Sequence, residues 1–533
     1  MNRFGRHTLV HHFLEESARQ YPAKTALVHG KMRASYAEIN RQANQLASWL
    51  LDQGLCRGGR VVLLLENSLE YVVSYYGVLK AAGVVVPLSP ELKAENLAPI
   101  LKELEADFII GGSKAAKTLQ ALPSLHKSRP RLVLKAPQAL WPNGPVEVVA
   151  WEELFASGDA RNPDLVGDGG DMCSIITTSG STGRPKGVVL SHTNIVSNAH
   201  AICEYLKLTA SDIQMVVLPF FYVMGKSLLN THVAVGGQVV INNQFAYPAA
   251  VVQQLVSEKV TGFSGVPSTF AYLLYRSPLE KYRGELTHLR YCSQAGGAMP
   301  RHLKTELRRV LPPHVEIYLM YGATEAAARL SYLRPDDFEK KMDSIGKPVR
   351  GVRFRVLDAQ GEEAEVGQQG ELVASGPNIM QGYWKDPQST AQVLDANGYH
   401  TGDIGYRDPD GFFYVVGRKD GLLKVGGHRI NPDEVEEVLM ESGLLVEVAV
   451  VGIPDPLLGT KLCALGVAKG EGCSEKEIMA FAAKRLPRHK VPGRIQLLPK
   501  LPKNWSAKID RRECERLAAA ATSTREMSRI AGR

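Results

Sequence analysis

Residues 178–187 read TSGSTGRPKG and combine three glycines, four hydroxyls and a lysine. Glycines let backbone N–H groups turn inward around an anion, hydroxyls add donors and Lys186 adds positive charge, so phosphate is the natural guest. The pattern is not a P-loop. That motif needs four residues between its first glycine and its Gly-Lys pair, then a hydroxyl residue; here Pro185 precedes Lys186 and Gly187 follows it. By composition alone the segment is equally a nucleotide-phosphate cradle or a flexible surface connection. Taken singly, Glu325 and Asp403 read as surface or capping carboxylates, and Lys508 as a solvated lysine.

The elements around the segment are legible. The apolar run Met172–Ile176 predicts a strand before it and Val188–Leu190 a strand after it. Thr193 is placed to cap a helix whose Ile195, Val196, Ala199, Ile202, Cys203 and Leu206 share one face. Upstream, Ser35 and Glu38 fit a capping box for a helix that Gly54 stops, followed by a strand at Val61–Leu65, a helix over 68–81 and a strand at Val84–Val86. That rhythm predicts parallel α/β architecture for the first several hundred residues. Short alternating stretches over 350–416, such as Phe354–Leu357 and Glu371–Val373, predict small antiparallel β-structure. Beyond Gly417, a helix start at Asn431-Pro432, strands at Val446–Val451 and Leu462–Val467, and a capping box at Ser474 and Glu477 predict a compact α+β unit.

A chain of 533 residues, 44% hydrophobic and 22% charged, is long enough for a large core and a smaller companion. A net charge of +8 is small for this length and does not select nucleic acid. The seven cysteines lie singly, without metal-ligand spacing, as expected of reduced thiols in the cytoplasm. Glu15 and Glu16 interrupt any signal-like stretch, and no apolar run is long enough to span a membrane. The excess of basic residues after 501 reads as a solvated face.

The whole string TSGSTGRPKG resembles the signature of the adenylate-forming superfamily, which includes acyl- and aryl-CoA synthetases, luciferases and adenylation domains of peptide synthetases. Further segments match that family in order. Gln294-Ala295-Gly296-Gly297-Ala298 is similar to its glycine-rich segment, Tyr321-Gly322-Ala323-Thr324-Glu325 to YGxTE, and Tyr399-His400-Thr401-Gly402-Asp403 to YxTGD. Gly417-Arg418-Lys419-Asp420 resembles the interdomain hinge and Lys508-Ile509-Asp510-Arg511 the terminal lysine motif.

The resemblance implies an α/β fold: a large N-terminal domain over 1–417 with parallel α/β subdomains and a small β-structured part, a mobile α+β C-terminal domain over 418–518, and a basic, disordered tail over 519–533. It implies that a carboxylate attacks the α-phosphorus of ATP, pyrophosphate leaves, and the acyl group passes to a thiol, with stabilisation of phosphate charge as the enzyme's main task. Thr178, Ser179, Gly180, Ser181, Thr182, Gly183 and Lys186 would then cradle the β- and γ-phosphates, Glu325 bind Mg²⁺, and Thr324 donate to the α-phosphate. Tyr321 would stack on adenine, with Gly297, Ala298 and Gly322 at the nucleotide. Asp403 would accept both ribose hydroxyls, assisted by Arg418, and Lys508 would neutralise the reacting groups. Phe221, Tyr222, Gly225, Gln294, Ala295, Gly296 and Ala323 would line the acyl pocket. Asp420 would be the hinge that brings Lys424 and Gly426-Gly427 to the site, where two glycines admit a pantetheine arm.

The chain departs from the family pattern in two places. Ala507 stands where glycine usually precedes the catalytic lysine, and Tyr222 stands where CoA synthetases often carry His and amino-acid activators Asp. Without Asp, nothing holds an α-ammonium group, so the run Phe220, Phe221, Tyr222, Met224 points to an apolar fatty or aryl acid, or is simply core. Lys226 beside it reads as a snorkelling surface lysine or as a partner for a polar substrate end. The leading expectation is an acyl-CoA synthetase using ATP, Mg²⁺ and CoA. The alternatives are a stand-alone enzyme charging the phosphopantetheine of an acyl carrier protein, and a non-catalytic nucleotide-binding regulator. The basic stretch Lys484, Arg485, Arg488, Lys490, Arg494 reads as an exposed face that could meet either acceptor.

Overall fold

The Ser35 hydroxyl accepts the Glu38 N–H while the Glu38 carboxylate takes the Ser35 N–H, and this reciprocal cap starts the helix Tyr36–Asp52. Ser474 and Glu477 open Glu475–Arg485 in the same way, and Asn431 with Pro432 opens Pro432–Met440. One cap differs from expectation. Ser191, not Thr193, caps His192–Tyr205, because Asn194 returns its side-chain oxygen to the Ser191 N–H, a role the rule reserves for Glu or Gln. The computed structural model describes residues 7–122, 131–135, 148–155, 159–179, 185–419, 421, 423–425, 428–455, 459–470, 472–503 and 509–530.

The chain divides into two compact units. One comprises Met1–Met299, Thr305–Arg355 and Val373–Thr401; the other comprises Pro300–Lys304, Val356–Leu372 and Gly402–Arg533. The expected boundary after Gly417 lies inside the last of these segments.

Two large sheets build the first unit. The eight-stranded sheet runs in the order Gly382–Tyr383, Pro185–Ser191, Met172–Ser179, Val84–Pro87, Arg60–Leu64, Phe108–Gly112, Arg131–Lys135, Val148–Ala150. From Met172–Ser179 onward its pairings are parallel. Val61 and Leu63 enter one core while Val62 and Leu64 enter another, so both faces are covered, as a parallel sheet requires. In the nine-stranded sheet, Ile213–Val216, Gly262–Gly265, Tyr291–Gln294 and Glu316–Tyr321 are consecutive parallel neighbours.

Parallel architecture is thus borne out in the middle of both sheets but not at their edges. Pro185–Ser191 pairs antiparallel with Met172–Ser179, and Met32–Ser35 and Ser331–Leu333 are antiparallel edge strands of the other sheet. The connection through 180–184 is too short for a crossover, which needs a dozen or more residues, so this pair forms a hairpin. The stretches over 350–416 form the expected small sheet, in which Gly398–Arg407 pairs antiparallel with Phe413–Arg418.

In the second unit, Leu445–Asp455, Gly459–Ala468 and Arg494–Leu497 form a three-stranded sheet. Period-2 alternation splits its side chains: Val448 and Val450 pack with Val435, Leu439 and Ile478, while Ala449, Val451 and Ile453 pack with Leu501, Cys514 and Ala518. The helix Arg511–Ile530 runs on past 518, where the sequence was expected to leave the fold; no glycine or proline interrupts it, and Ala518–Ala521 are strong helix formers. No helix among the described residues is long and apolar enough to cross a membrane.

Arg511 ties this unit together. Its guanidinium meets the Glu436 carboxylate at 2.5 Å, Asp433 at 2.6 Å and the Val450 carbonyl at 3.1 Å. Burial pushes the Glu436 carboxyl upward and Arg511 opposes that rise. Removing the cation would leave a buried carboxylate without its partner. Arg511→Ala is expected to destabilise this unit by about 3 kcal/mol, read as earlier exchange of its amide protons while those of the first unit keep their protection.

Candidate active site

Four consecutive parallel strands end on the same edge of the nine-stranded sheet, and candidate residues cluster just beyond their C-terminal ends. Ile213–Val216 leads to Phe221, Tyr222 and Gly225; Tyr291–Gln294 carries Gln294 and leads to Ala295, Gly296, Gly297 and Ala298; Glu316–Tyr321 carries Tyr321 and leads to Gly322, Ala323, Thr324 and Glu325. Such an edge is where ligands of open α/β sheets sit.

Local packing explains the glycines. A Cβ on Gly322 would lie 2.0 Å from the Ala328 carbonyl oxygen, and one on Gly225 would lie 2.1 Å from that of Pro219. Gly296 adopts φ +83° and exposes its backbone, while the Gln294 amide donates to the Gly297 carbonyl at 2.8 Å and fixes the loop. Tyr321 is half-buried against Phe354, ring centres 5.9 Å apart. Thr324 begins the single turn Thr324–Ala326 that carries Glu325. Phe220 is core, packed on Tyr71 at 5.3 Å and fully buried, and Met224 is buried too. Phe221 and Tyr222 stay half-exposed, so the aromatic run divides between core and pocket.

The hairpin Met172–Ser179 and Pro185–Ser191 places Thr178 opposite Lys186. Ser179 lies at its strand's end; Gly180, Ser181, Thr182 and Gly183 fall outside the described residues. Half of the glycine-rich string is therefore ladder rather than loop. The Lys186 ammonium sits 4.9 Å from the centre of the Tyr383 ring, and the Tyr383 hydroxyl donates to the Glu325 carboxylate at 2.9 Å. Tyr383 belongs to the edge strand Gly382–Tyr383, paired with Val188. Sequence reading missed this residue. The signal available was a lone tyrosine two residues past Gln381, without periodicity to mark it.

Lys226 is 2% exposed, which overturns its reading as a snorkelling surface lysine. It lies in the helix Val223–Ala234, where a full turn of helix hydrogen-bonds it back to Tyr222. Its ammonium donates to the Ser174 hydroxyl at 3.1 Å and lies 5.2 Å from the Tyr75 ring centre. Burial pushes the ammonium down to about 7, only partly opposed by Cys173, whose own thiol burial pushes up to about 12.

In the second unit, Asp403 and Arg418 are register partners on adjacent strands, with the guanidinium 3.5 Å from the carboxylate. Gly402 holds φ +71° beside them. Asp403 is buried while Arg418 is 65% exposed, so the arginine is the solvent-facing half of the pair. Lys424 lies on the short strand Leu423–Val425. Asp420, Gly426, Gly427, Ala507 and Lys508 lie outside the described residues.

The model of the AMP-binding enzyme family matches residues 14–384, and that of the AMP-binding enzyme C-terminal domain matches 434–508. A feruloyl-CoA synthase of Amycolatopsis sp is 33% identical over 94% of this chain and 97% of that protein. A long-chain-fatty-acid–CoA ligase of Bacillus subtilis is 30% identical over 94% and 92%. The anthranilate CoA ligase AuaEII, solved with anthranoyl-AMP, superposes with a TM-score of 0.86 at 25% identity, covering 97% of this chain and 98% of that one. The chain belongs to the AMP-binding enzyme family, with its large α/β domain and small C-terminal domain.

Tyr383→Phe keeps the ring facing Lys186 and removes the hydroxyl that donates to Glu325. A hydrogen bond to a charged group contributes about 1.5–3 kcal/mol, so the variant is expected to form AMP roughly tenfold more slowly and to melt only a few degrees, about 2–6 °C, below the parent. Steady-state AMP release and a thermal melt check both.

Proposed function

We propose that the chain is an AMP-forming acid–thiol ligase that activates a carboxylic acid with an apolar body as its acyl-adenylate, releases pyrophosphate, and transfers the acyl group to CoA. The observation that carries this reading is the meeting of Lys186 and Glu325 on Tyr383, in a chain whose family binds AMP. The relatives named as CoA ligases favour CoA over a carrier protein as acceptor.

A carboxylate is a poor electrophile, and adenylation gives it a phosphate leaving group. In this reading Thr178, the hydroxyls and glycines at 179–183, and Lys186 hold the β- and γ-phosphates and the departing pyrophosphate, concentrating donors where charge moves. Thr324 donates to the α-phosphate and Tyr321 packs on adenine beside Gly297, Ala298 and Gly322. Asp403 accepts the ribose hydroxyls, a task suited to a two-oxygen acceptor, and Arg418 steadies it. Lys508 neutralises the attacking carboxylate and the α-phosphate. Phe221, Tyr222, Gly225, Gln294, Ala295, Gly296 and Ala323 border the acyl group.

The surroundings of Glu325 fit Mg²⁺: it is a half-buried hard-oxygen donor oriented by Tyr383, and among the described residues no cation pairs with it. When bound, the ion offsets triphosphate charge. The region 418–518 turns about Asp420 between the two half-reactions, bringing Lys424 and Gly426-Gly427 to the pantetheine thiol. Among the described residues no disulfide joins the cysteines, and reduced thiols suit a cytoplasmic home for ATP and CoA chemistry.

Acid-dependent exchange of labelled pyrophosphate into ATP is the direct test. Exchange with aryl or fatty acids that is lost in EDTA and restored by Mg²⁺ is expected; ATP binding without AMP formation across the panel would instead mark a silent regulator. Supplying CoA and a holo-carrier separately identifies the acceptor by which thioester accumulates. Lys508→Ala is expected to slow exchange at least a hundredfold yet spare thioester formation from supplied acyl-adenylate, and Asp420→Pro to do the reverse. Equal loss of both steps in both variants would remove the two-conformation scheme.

A further inference from the structure

The turn that carries Glu325 continues into two alanines whose backbone conformations L-residues rarely adopt. Ala327 lies at φ +53° and Ala328 at φ +119°, and both are buried. Among the described residues the other non-glycine positions of positive φ, Ala82, Glu105, Lys207, Lys259 and Lys385, stand singly at +50° to +55°. A Cβ at such φ crowds the backbone, so the conformation costs free energy and persists only where the surroundings over-determine it. Glycine would remove most of that cost.

Three buried asparagines supply those surroundings. Asn378 donates to the Ala326 carbonyl at 3.0 Å and to the Arg329 carbonyl at 3.1 Å, bridging the two ends of the strained pair. Asn198 donates to the same Arg329 carbonyl at 2.7 Å and accepts the Arg329 N–H at 3.1 Å. One turn earlier on the same helix, His192–Tyr205, Asn194 donates to the Pro377 and Ile379 carbonyls at 2.8 and 2.7 Å and so fixes the stretch that carries Asn378. That stretch also grips Glu325 itself. The Met380 N–H donates to the Glu325 carbonyl at 2.8 Å, and the Tyr383 hydroxyl meets the Glu325 carboxylate at 2.9 Å. Finally, the Ala328 carbonyl accepts from the Arg329 guanidinium at 3.2 Å and closes over Gly322. Buried donors and acceptors are costly to leave unmade, so the turn has one way to satisfy all of them.

We propose that Asn198 and Asn378 are positioning residues for adenylation: they hold the strained turn Ala327–Ala328 closed, and the closed turn keeps the Glu325 carboxylate at Tyr383. The inference rests on the reading above in which Glu325 binds Mg²⁺. Both asparagines act through the main chain of the turn. Relaxing Ala328 would stabilise the chain but let the carboxylate wander, so the fold gives up stability to keep one metal ligand aimed.

The test compares the full-length protein with three variants. Ala328→Gly removes the strain and is expected to melt at or above the parent, even though glycine adds freedom to the unfolded chain. Asn198→Ala and Asn378→Ala each remove a clamp and are expected to melt lower. All three are expected to raise the Mg²⁺ concentration for half-maximal pyrophosphate exchange at fixed ATP by about fivefold or more, and to quicken amide exchange over 323–330 in the metal-free protein. A half-saturation within about twofold of the parent in any of them marks a merely structural role and overturns the inference. So does a glycine variant that melts several degrees below the parent. Should the alanine variants fail to fold, Ala328→Gly decides alone. A parent with acid-dependent exchange that needs no divalent metal refutes the role of Glu325 and this inference with it, whereas a parent without exchange refutes the ligase reading itself.

Discussion

Parallel strands impose the constraint on which the rest of this molecule depends. Because each strand must return by a crossover, the C-terminal ends of Ile213–Val216, Gly262–Gly265, Tyr291–Gln294 and Glu316–Tyr321 all open on one edge. Residues far apart in sequence, from Tyr222 to Glu325, are thereby gathered without any of them having to leave its strand or the following turn. Close approaches at Gly225 and Gly322 then let the backbone turn where a side chain would collide.

Electrostatics on this frame follow from desolvation more than from ion pairing. Lys80 is paired with the Glu15 carboxylate, whereas the Lys226 ammonium meets the Ser174 hydroxyl and the Tyr75 ring. Arg511 in the second unit is the opposite solution: two carboxylates and a carbonyl converge on one guanidinium and bind helix to sheet. Where charges are satisfied they serve the fold.

Much of this was legible from residue order. Capping boxes at Ser35 and Ser474 fixed helix starts because both partners are local, and the apolar stretches Val446–Val451 and Leu462–Val467 marked strands of the second unit. The motif segments containing Thr178, Gln294, Tyr321 and Asp403 were marked by their resemblance to the adenylate-forming superfamily, since composition alone left the first of them equally a phosphate cradle or a surface connection. Three things were not. The hairpin at 172–191 looked like two further parallel strands because pairing direction is not written in hydrophobicity. Tyr383 is brought to Glu325 by an edge pairing that no local pattern announces. The burial of Lys226 depends on what packs over its helix, which one segment's periodicity does not contain.

Tyr383 has one more consequence. A lysine and a glutamate that the proposed function assigns to opposite tasks on one triphosphate would cancel if they touched, each quenching the field the other offers. A tyrosine between them prevents that. Its electron-rich face receives the ammonium and its hydroxyl proton meets the carboxylate, so one neutral ring satisfies both charges while keeping them apart. The ring acts as an insulator between two electrodes.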